Sequence, residues 1–434
     1  MINVNGIRTC LDGLVGFRQT QDYDYPLIES DLLVSNSGNY YNSHPLISTP
    51  NLKAISPNDD DWTFPSYDVA TTYNKADTAE EGGVRYVSVV DSNTGNPVND
   101  TNFWVPFPGG AGEGQSILFS KWLREIVEEG QSELINKILT LKKLNTNVKS
   151  PLNDIDLFRG AGRLTDLIVN QGAFVGMEVR FNNWKGLKLF VSRIGTQFTA
   201  NINPLTIYVF HSSQETPIAT AQINYSTAIN FQWTSSTIEM IYDSGSYETG
   251  GIFWIGYFQD DLGAVQAINK SINWNGRLCY TCNGDERHTN LYRNQYSRFI
   301  SVYPIRVQSG NLNGTNYWLD PTKVEYLSNR NWGLNFTFKV DCDMTDQVCR
   351  QTGAIAEPLQ KYIQMKLLRQ MVNSTRKNVI QQIDKERAAF ELDATENPTG
   401  LQAQLNDSLK ALEFDLSDMN SACLPNQSRG IRMR

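Results

Sequence analysis

Histidine is scarce in this chain: only His44, His211 and His288 occur among 434 residues. That leaves little side-chain buffering near neutral pH for acid–base catalysis. No GxSxG elbow or HExxH helix accompanies them, so the common nucleophile–base and zinc-hydrolase patterns are missing as well. Long apolar runs are absent too. The stretch Ile252-Phe-Trp-Ile-Gly-Tyr-Phe258 is among the longest and is far too short to span a bilayer. A basic tract is also lacking. Lys and Arg total 38 against 46 Asp and Glu, a net charge of −8, and the one basic cluster is Arg429-Gly-Ile-Arg-Met-Arg434. Proteins that wrap DNA draw affinity from neutralised phosphates, so sequence-specific nucleic-acid binding is not expected. Cysteine is sparse, six in all, which argues against a disulfide scaffold and for buried, reduced thiols. Met1-Ile-Asn-Val-Asn-Gly6 has no charged start leading into an apolar run, so we expect no secretory leader and synthesis in the cytosol.

What is present reads as globular. Hydrophobic residues make up 40% and aromatics 11%, too much for a solvated, disordered chain. The length suggests about two to four domains. Residues 1–115 are dense in Asn, Asp, Ser, Gly and Pro, and pieces such as Asp91-Ser-Asn-Thr-Gly-Asn-Pro97 carry turn chemistry,. Aromatics nevertheless recur there, from Phe17 to Trp104. This predicts an extended arm with short strands, Arg85-Tyr-Val-Ser-Val-Val90 among them, that lays its rings on its own body or on a neighbouring subunit. In an isolated monomer that arm is expected to be poorly ordered.

Residues 116–172 open with Ile117, Leu118, Trp122, Leu123, Ile126 and Val127 at helical spacing behind a capping Ser116,. Gly130 is read as a break, after which Leu134, Ile135, Ile138 and Leu139 resume the pattern. From 173 to 310 the period changes. Met177–Phe181, Leu187–Val191, Leu205–Phe210, Thr237–Tyr242 and Gly251–Phe258 are short β-branched or aromatic runs separated by Gly, Asn, Pro or Ser,. Such spacing predicts a jelly-roll-like antiparallel β-sandwich. Residues 311–434 add connecting strands and then helices, with Glu357-Pro358 at a helix start and Leu401, Leu405, Leu409 and Leu412 on one face of a later helix,. The expected fold is therefore α+β and multidomain: a helical body drawn from both chain ends, with the sandwich inserted.

Candidate chemistry is thin. Cys279-Tyr-Thr-Cys282 with His288 gives three zinc-type donors but no fourth, and Cys342 and Cys349 stand at the wrong spacing,. The acidic pieces Asn58-Asp-Asp-Asp61 and Asp260-Asp261 contain neighbours that would point to opposite faces of a strand, and they fit solvent-facing turns. Gly109-Gly-Ala-Gly-Glu-Gly114 lacks the Lys-Ser/Thr ending of a phosphate loop,, and we read it as a hinge. Trp184, Trp233, Trp254 and Trp274 offer flat faces that could stack a sugar, against the commoner use of such rings as core,. The reading is non-enzymatic. No catalytic, cofactor-binding or metal-ligating residue is assigned, and no cofactor or membrane partner is expected.

Two segments carry a resemblance. Cys10-Leu-Asp-Gly-Leu-Val-Gly-Phe-Arg-Gln-Thr20 resembles the start of virion structural proteins of crAss-like and related tailed bacteriophages infecting Bacteroidetes. Asn331-Trp-Gly-Leu-Asn-Phe-Thr-Phe-Lys-Val-Asp-Cys-Asp-Met-Thr-Asp-Gln-Val-Cys349, leading into Ala356-Glu-Pro-Leu-Gln-Lys-Tyr362, resembles a later part of the same proteins. The likeness covers the two ends, about half the chain, and not the central strands. It implies a neck, ring or tail-adaptor subunit of the virion, assembled in the host cytoplasm. Its partners would be copies of itself in a dodecameric ring, the portal, and adjacent ring or tail proteins. Heterologous contacts between copies close such rings. A carbohydrate- or receptor-binding module displayed on the virion is the alternative expectation.

Overall fold

A computed structural model describes residues 3–19, 28–57, 59–107, 113–142, 144, 150–158, 164–182, 185–241, 251–270, 295–313, 318–327, 330–374, 379–417 and 419–423. The class is mixed α+β, as the change of hydrophobic period along the chain leads one to expect. The chain divides into two compact units. One, the helical unit, comprises 3–144 and 347–415; the other, the sheet unit, comprises 145–346 together with 1–2 and 416–434.

The helical unit begins with short helices α1 (Val4–Leu11), α2 (Ser30–Leu33) and α3 (Thr49–Ile55) and an antiparallel sheet of β1 (Thr78–Glu81), β2 (Val84–Ser88) and β3 (Trp104–Phe107). In α3, Ser48 Oγ accepts the Asn51 N–H and Pro50 follows directly, the arrangement that starts a helix cheaply. The stretch expected to be an extended arm is thus folded on its own unit. Its aromatics turn inward: Phe17 and Tyr41 are buried with ring centroids 5.1 Å apart, and Tyr73 meets Trp104 edge-on at 4.9 Å. Burial of rings this large outweighs the loop-like composition around them.

One helix, α4 (Glu113–Leu141), runs through Gly130 without interruption. The expected break there is corrected by packing. A Cβ on Gly130 would stand 2.2 Å from Ile363 Cδ1, so this glycine is the notch that seats Ile363 of α6 (Ala356–Asn373). Behind α6 come α7 (Val379–Glu391) and α8 (Leu401–Ala411), both packed on it. A further short helix, α5 (Thr345–Cys349), spans the point where the chain re-enters this unit. Cys10 of α1 is disulfide-bonded to Cys349 of α5.

The sheet unit holds β4 (Leu152–Asp156), β5 (Leu164–Ile168), β6 (Phe174–Phe181), β7 (Leu187–Thr196), β8 (Ile202–His211), β9 (Ala219–Tyr225), β10 (Gln232–Ile241), β11 (Phe253–Phe258), β12 (Ala267–Lys270), β13 (Ile300–Val307), β14 (Leu312–Asn313), β15 (Trp318–Leu319), β16 (Glu325–Tyr326) and β17 (Leu334–Cys342). Two of its sheets are large: β10-β7-β17-β4 and β16-β13-β6-β11-β8-β9, antiparallel throughout. Strands β4 and β5 occupy residues expected to be helical, and β16 and β17 extend the sheets past residue 310. Strand β11 is buried at every position and β6 at all but Arg180, so both faces of the sheet are covered at these two central strands. Where they pair, Gly176 faces Gly256; a Cβ on either would lie 2.1 to 2.2 Å from the partner strand's carbonyl oxygen.

A second disulfide joins Cys342, at the end of β17, to Cys423. All four cysteines among the described residues are therefore oxidised, which corrects the expectation of mostly reduced thiols. The partners are 339 and 81 residues apart in sequence, far outside the short, closely spaced frameworks that sequence reading detects. Among the described residues no helix is long and apolar enough to cross a membrane.

Candidate functional site

The helical unit contains a cleft of about 570 Å³, within the size range of small-ligand sites. Its floor starts on α6, where Gln360 and Gln364 stand one turn apart. Gln360 Nε2 donates to the Tyr40 carbonyl at 2.8 Å and to Ser43 Oγ at 2.7 Å. Gln364 Nε2 donates to the Tyr41 carbonyl at 3.0 Å and to Ser43 Oγ at 3.1 Å. These bonds pin residues 40–43 onto the helix and present His44 to the cleft.

His44 is half-buried. Its Nδ1 accepts the Leu46 N–H at 3.3 Å, which leaves the ring proton on Nε2, and Nε2 stands 4.0 Å from Glu391 Oε2. Burial lowers the imidazole pKa below its ordinary value, and the Glu391 charge opposes that shift,. Glu391, the last residue of α7, also accepts the Leu401 N–H at 3.0 Å, so its carboxylate caps the first turn of α8. Arg387 and Phe390 of α7 reach the rim; Phe390 is 50% exposed. Thr399 and Gln404 complete the far wall. Ser43 Oγ is held by two amide donors and His44 Nδ1 by a backbone N–H, so the pair is arranged for hydrogen-bonded binding and not as nucleophile and base.

In the sheet unit one carboxylate is deeply buried. Glu178 on β6 is 1% exposed; its Oε2 accepts Tyr326 Oη–H at 2.6 Å and Trp254 Nε1–H at 3.4 Å, and its Oε1 accepts from Arg180 at 3.2 Å. Burial, together with the Glu178 charge, pushes the Tyr326 phenol up to about 12. A buried charge satisfied by three donors is stable where an unpaired one is not. Trp254, bound to it, is 2% exposed and is core, not a sugar platform. Trp233 on β10 is only partly buried, with the Arg193 guanidinium 4.9 Å over its ring and Phe231 edge-on at 5.1 Å. Trp184 and Trp274 lie outside the described residues.

The remaining sequence candidates scatter. Cys279, Cys282 and His288 lie outside the described residues, and Cys342 and Cys349 are bridged to other cysteines. Asp60 and Asp61 sit exposed in a 3₁₀ turn (Asp59–Asp61), and Asp260 and Asp261 lie in a second such turn (Gln259–Leu262), Asp260 exposed and Asp261 partly buried. Gly114 lies inside α4, while 109–112 fall outside the described residues. His211 is buried at the end of β8. Among the described residues no group of three or more His, Cys, Asp or Glu could hold a metal ion. The His44–Glu391 pair escaped sequence reading because 347 positions separate its members. The two glutamines at a four-residue interval on an apolar helix face were the legible signal.

No family model, curated protein or solved structure matches this chain.

Proposed function

We propose that this chain is a non-enzymatic structural subunit of a tailed-bacteriophage virion. Copies pack side by side into a ring, dodecameric by analogy, in the neck or tail region, against the portal and adjacent ring or tail proteins. The observation that carries the reading is a strand order. Take β4, β6, β7, β8, β9, β10, β11 and β17 as eight successive strands. The four-stranded sheet then reads first, eighth, third, sixth, and the core of the other reads second, seventh, fourth, fifth. First pairs with eighth, second with seventh, third with sixth and fourth with fifth. That nested pairing supports reading the strands as a long hairpin rolled up on itself, as in a jelly roll, with β13 and β16 extending one sheet. On this reading the sheet unit is a jelly-roll sandwich inserted into the helical unit. Jelly rolls serve as viral coat modules and as lectins, and fold alone does not choose between those uses.

The resemblance of segments 10–20 and 331–349 to phage virion proteins supports the first use. The two disulfides also suit a protein whose working life is on a particle in an oxidising medium,. Full-length protein examined by mass photometry and negative-stain microscopy is expected to form closed rings at micromolar concentration. A strictly monomeric chain, with no antibody labelling at the neck or tail of isolated particles, would refute the reading. A second reading, a carbohydrate- or receptor-binding module displayed on the virion, is favoured by the partly exposed Trp233–Phe231 pair,. Glycan-array binding by the full chain that Trp233→Ala abolishes would support it.

A further inference from the structure

We infer that the His44–Glu391 cleft of the helical unit binds a short, neutral saccharide. The inference deepens the carbohydrate-binding reading but moves the site away from the sheet unit, and it rests on the composition of the cleft. Charge is largely balanced within the cleft. Lys361 pairs with Glu357, and the other lining charges, Glu391 and Arg387, are opposite in sign, so no field of one sign remains to select a strong anion or cation. Hydrogen-bonding groups remain in quantity. The Nε2 atoms of Gln360 and Gln364 are each fixed by two bonds, and because a carboxamide is planar, the direction of each Oε1 is fixed with them. The Gln360 acceptor, Thr399 and the Arg387 guanidinium offer the mixed donor and acceptor set that vicinal hydroxyls require,.

The apolar element is Phe390, half-exposed at the rim. A flat aromatic face set beside hydrogen-bonding groups is a surface on which the C–H face of a pyranose packs. A purely apolar ligand would strand the amides, and a peptide strand would need an open sheet edge or apolar side-chain pockets, which this half-polar, helix-built cleft does not supply. Because its groups are already held by intramolecular bonds, the cleft is preorganised, which lowers the cost of binding.

The test uses the full-length chain. A printed array of bacterial-surface and mucin-type oligosaccharides is screened, and the strongest binder is followed by calorimetry for the wild type and for Phe390→Ala, Arg387→Ala and Trp233→Ala. Both cleft side chains reach solvent, so their removal leaves the fold intact, checked by an unchanged melting temperature. Binding of a neutral glycan that weakens about tenfold or more in Phe390→Ala and in Arg387→Ala, while Trp233→Ala stays within twofold, is the expected result. Loss in Trp233→Ala alone would overturn this inference and leave the carbohydrate reading standing on the sheet unit. No binding to any glycan at millimolar concentration would overturn both. Ring assembly is measured in parallel. If Phe390→Ala abolishes rings, the cleft is a packing surface between copies and the inference fails.

Discussion

Replacing Cys10 and Cys349 together by serine removes a bridge that closes 339 residues of chain. In the chain-entropy account, a loop of that length restricts the unfolded state by about 6 kcal/mol at 25 °C. The sheet unit lies inside the loop, however, and if it stays folded the calculation changes. Strand β17 pairs with β4, Val340 opposite Leu152, so the ends of that insert are held together. The effective loop then shrinks to roughly 150 residues, yet the logarithm moves only to about 5 kcal/mol. Measured disulfide contributions usually fall below the entropic figure, so we expect a loss of about 4 kcal/mol. For a unit of this size that lowers the melting temperature by about 10 °C,. Scanning calorimetry of wild type and double variant checks it, with non-reducing peptide mapping to identify the bridge in the wild type. The loss should fall on one unfolding transition and be reproduced by adding reductant to the wild type. A double variant melting within about 2 °C of wild type, or a wild type with free thiols at both positions, would refute the reasoning.

Other outcomes are expected elsewhere. Burial lowers the His211 pKa to about 4, and its Nδ1 accepts the Ser213 N–H at 3.1 Å. The unfolded chain therefore binds an extra proton between about pH 6.5 and pH 4, and stability, full above that window, falls across it by about 3 kcal/mol; urea titrations at pH 7 and pH 4.5 should show less of that fall in His211→Gln. Gly176→Ala drives a Cβ into the Ile255 carbonyl, where backbone cannot yield. It is expected to cost about 3 kcal/mol, against about 1 kcal/mol for Gly263→Ala, a positive-φ position with open space around it,, both read from urea midpoints. Amides of β2 and β3 are expected to be protected from hydrogen exchange in the monomer, because Val87 and Trp104 are buried within their own unit; exchange within seconds across 84–107 would contradict the packing described.

Local periodicity carried much of the fold. The run expected at 205–210 lies within β8, that at 251–258 contains β11, and the helix expected from Ser116 is α4 starting at Glu113. Each of these signals is complete within one window of sequence. What failed was non-local or ambiguous. Gly130 looks the same whether it ends a helix or admits Ile363. Helix α3 is too short to show a stripe, and in α1 the stripe is only Val4, Ile7 and Leu11 within eight residues. Strands β4 and β5 were hidden because their role as sheet edges is fixed by residues far along the chain, Val340 and Ala267 among them. The cleft was legible only as two glutamines out of place on α6; that Glu391 faces His44 depends on how α7 packs, which no spacing rule encodes.

The two bridges overlap along the sequence, since Cys342 precedes Cys349. Every peptide bond from residue 10 to residue 423 consequently belongs to at least one closed covalent ring. A protease that severs any single loop in that span releases nothing: the severed halves stay one molecule until a reductant opens the ring.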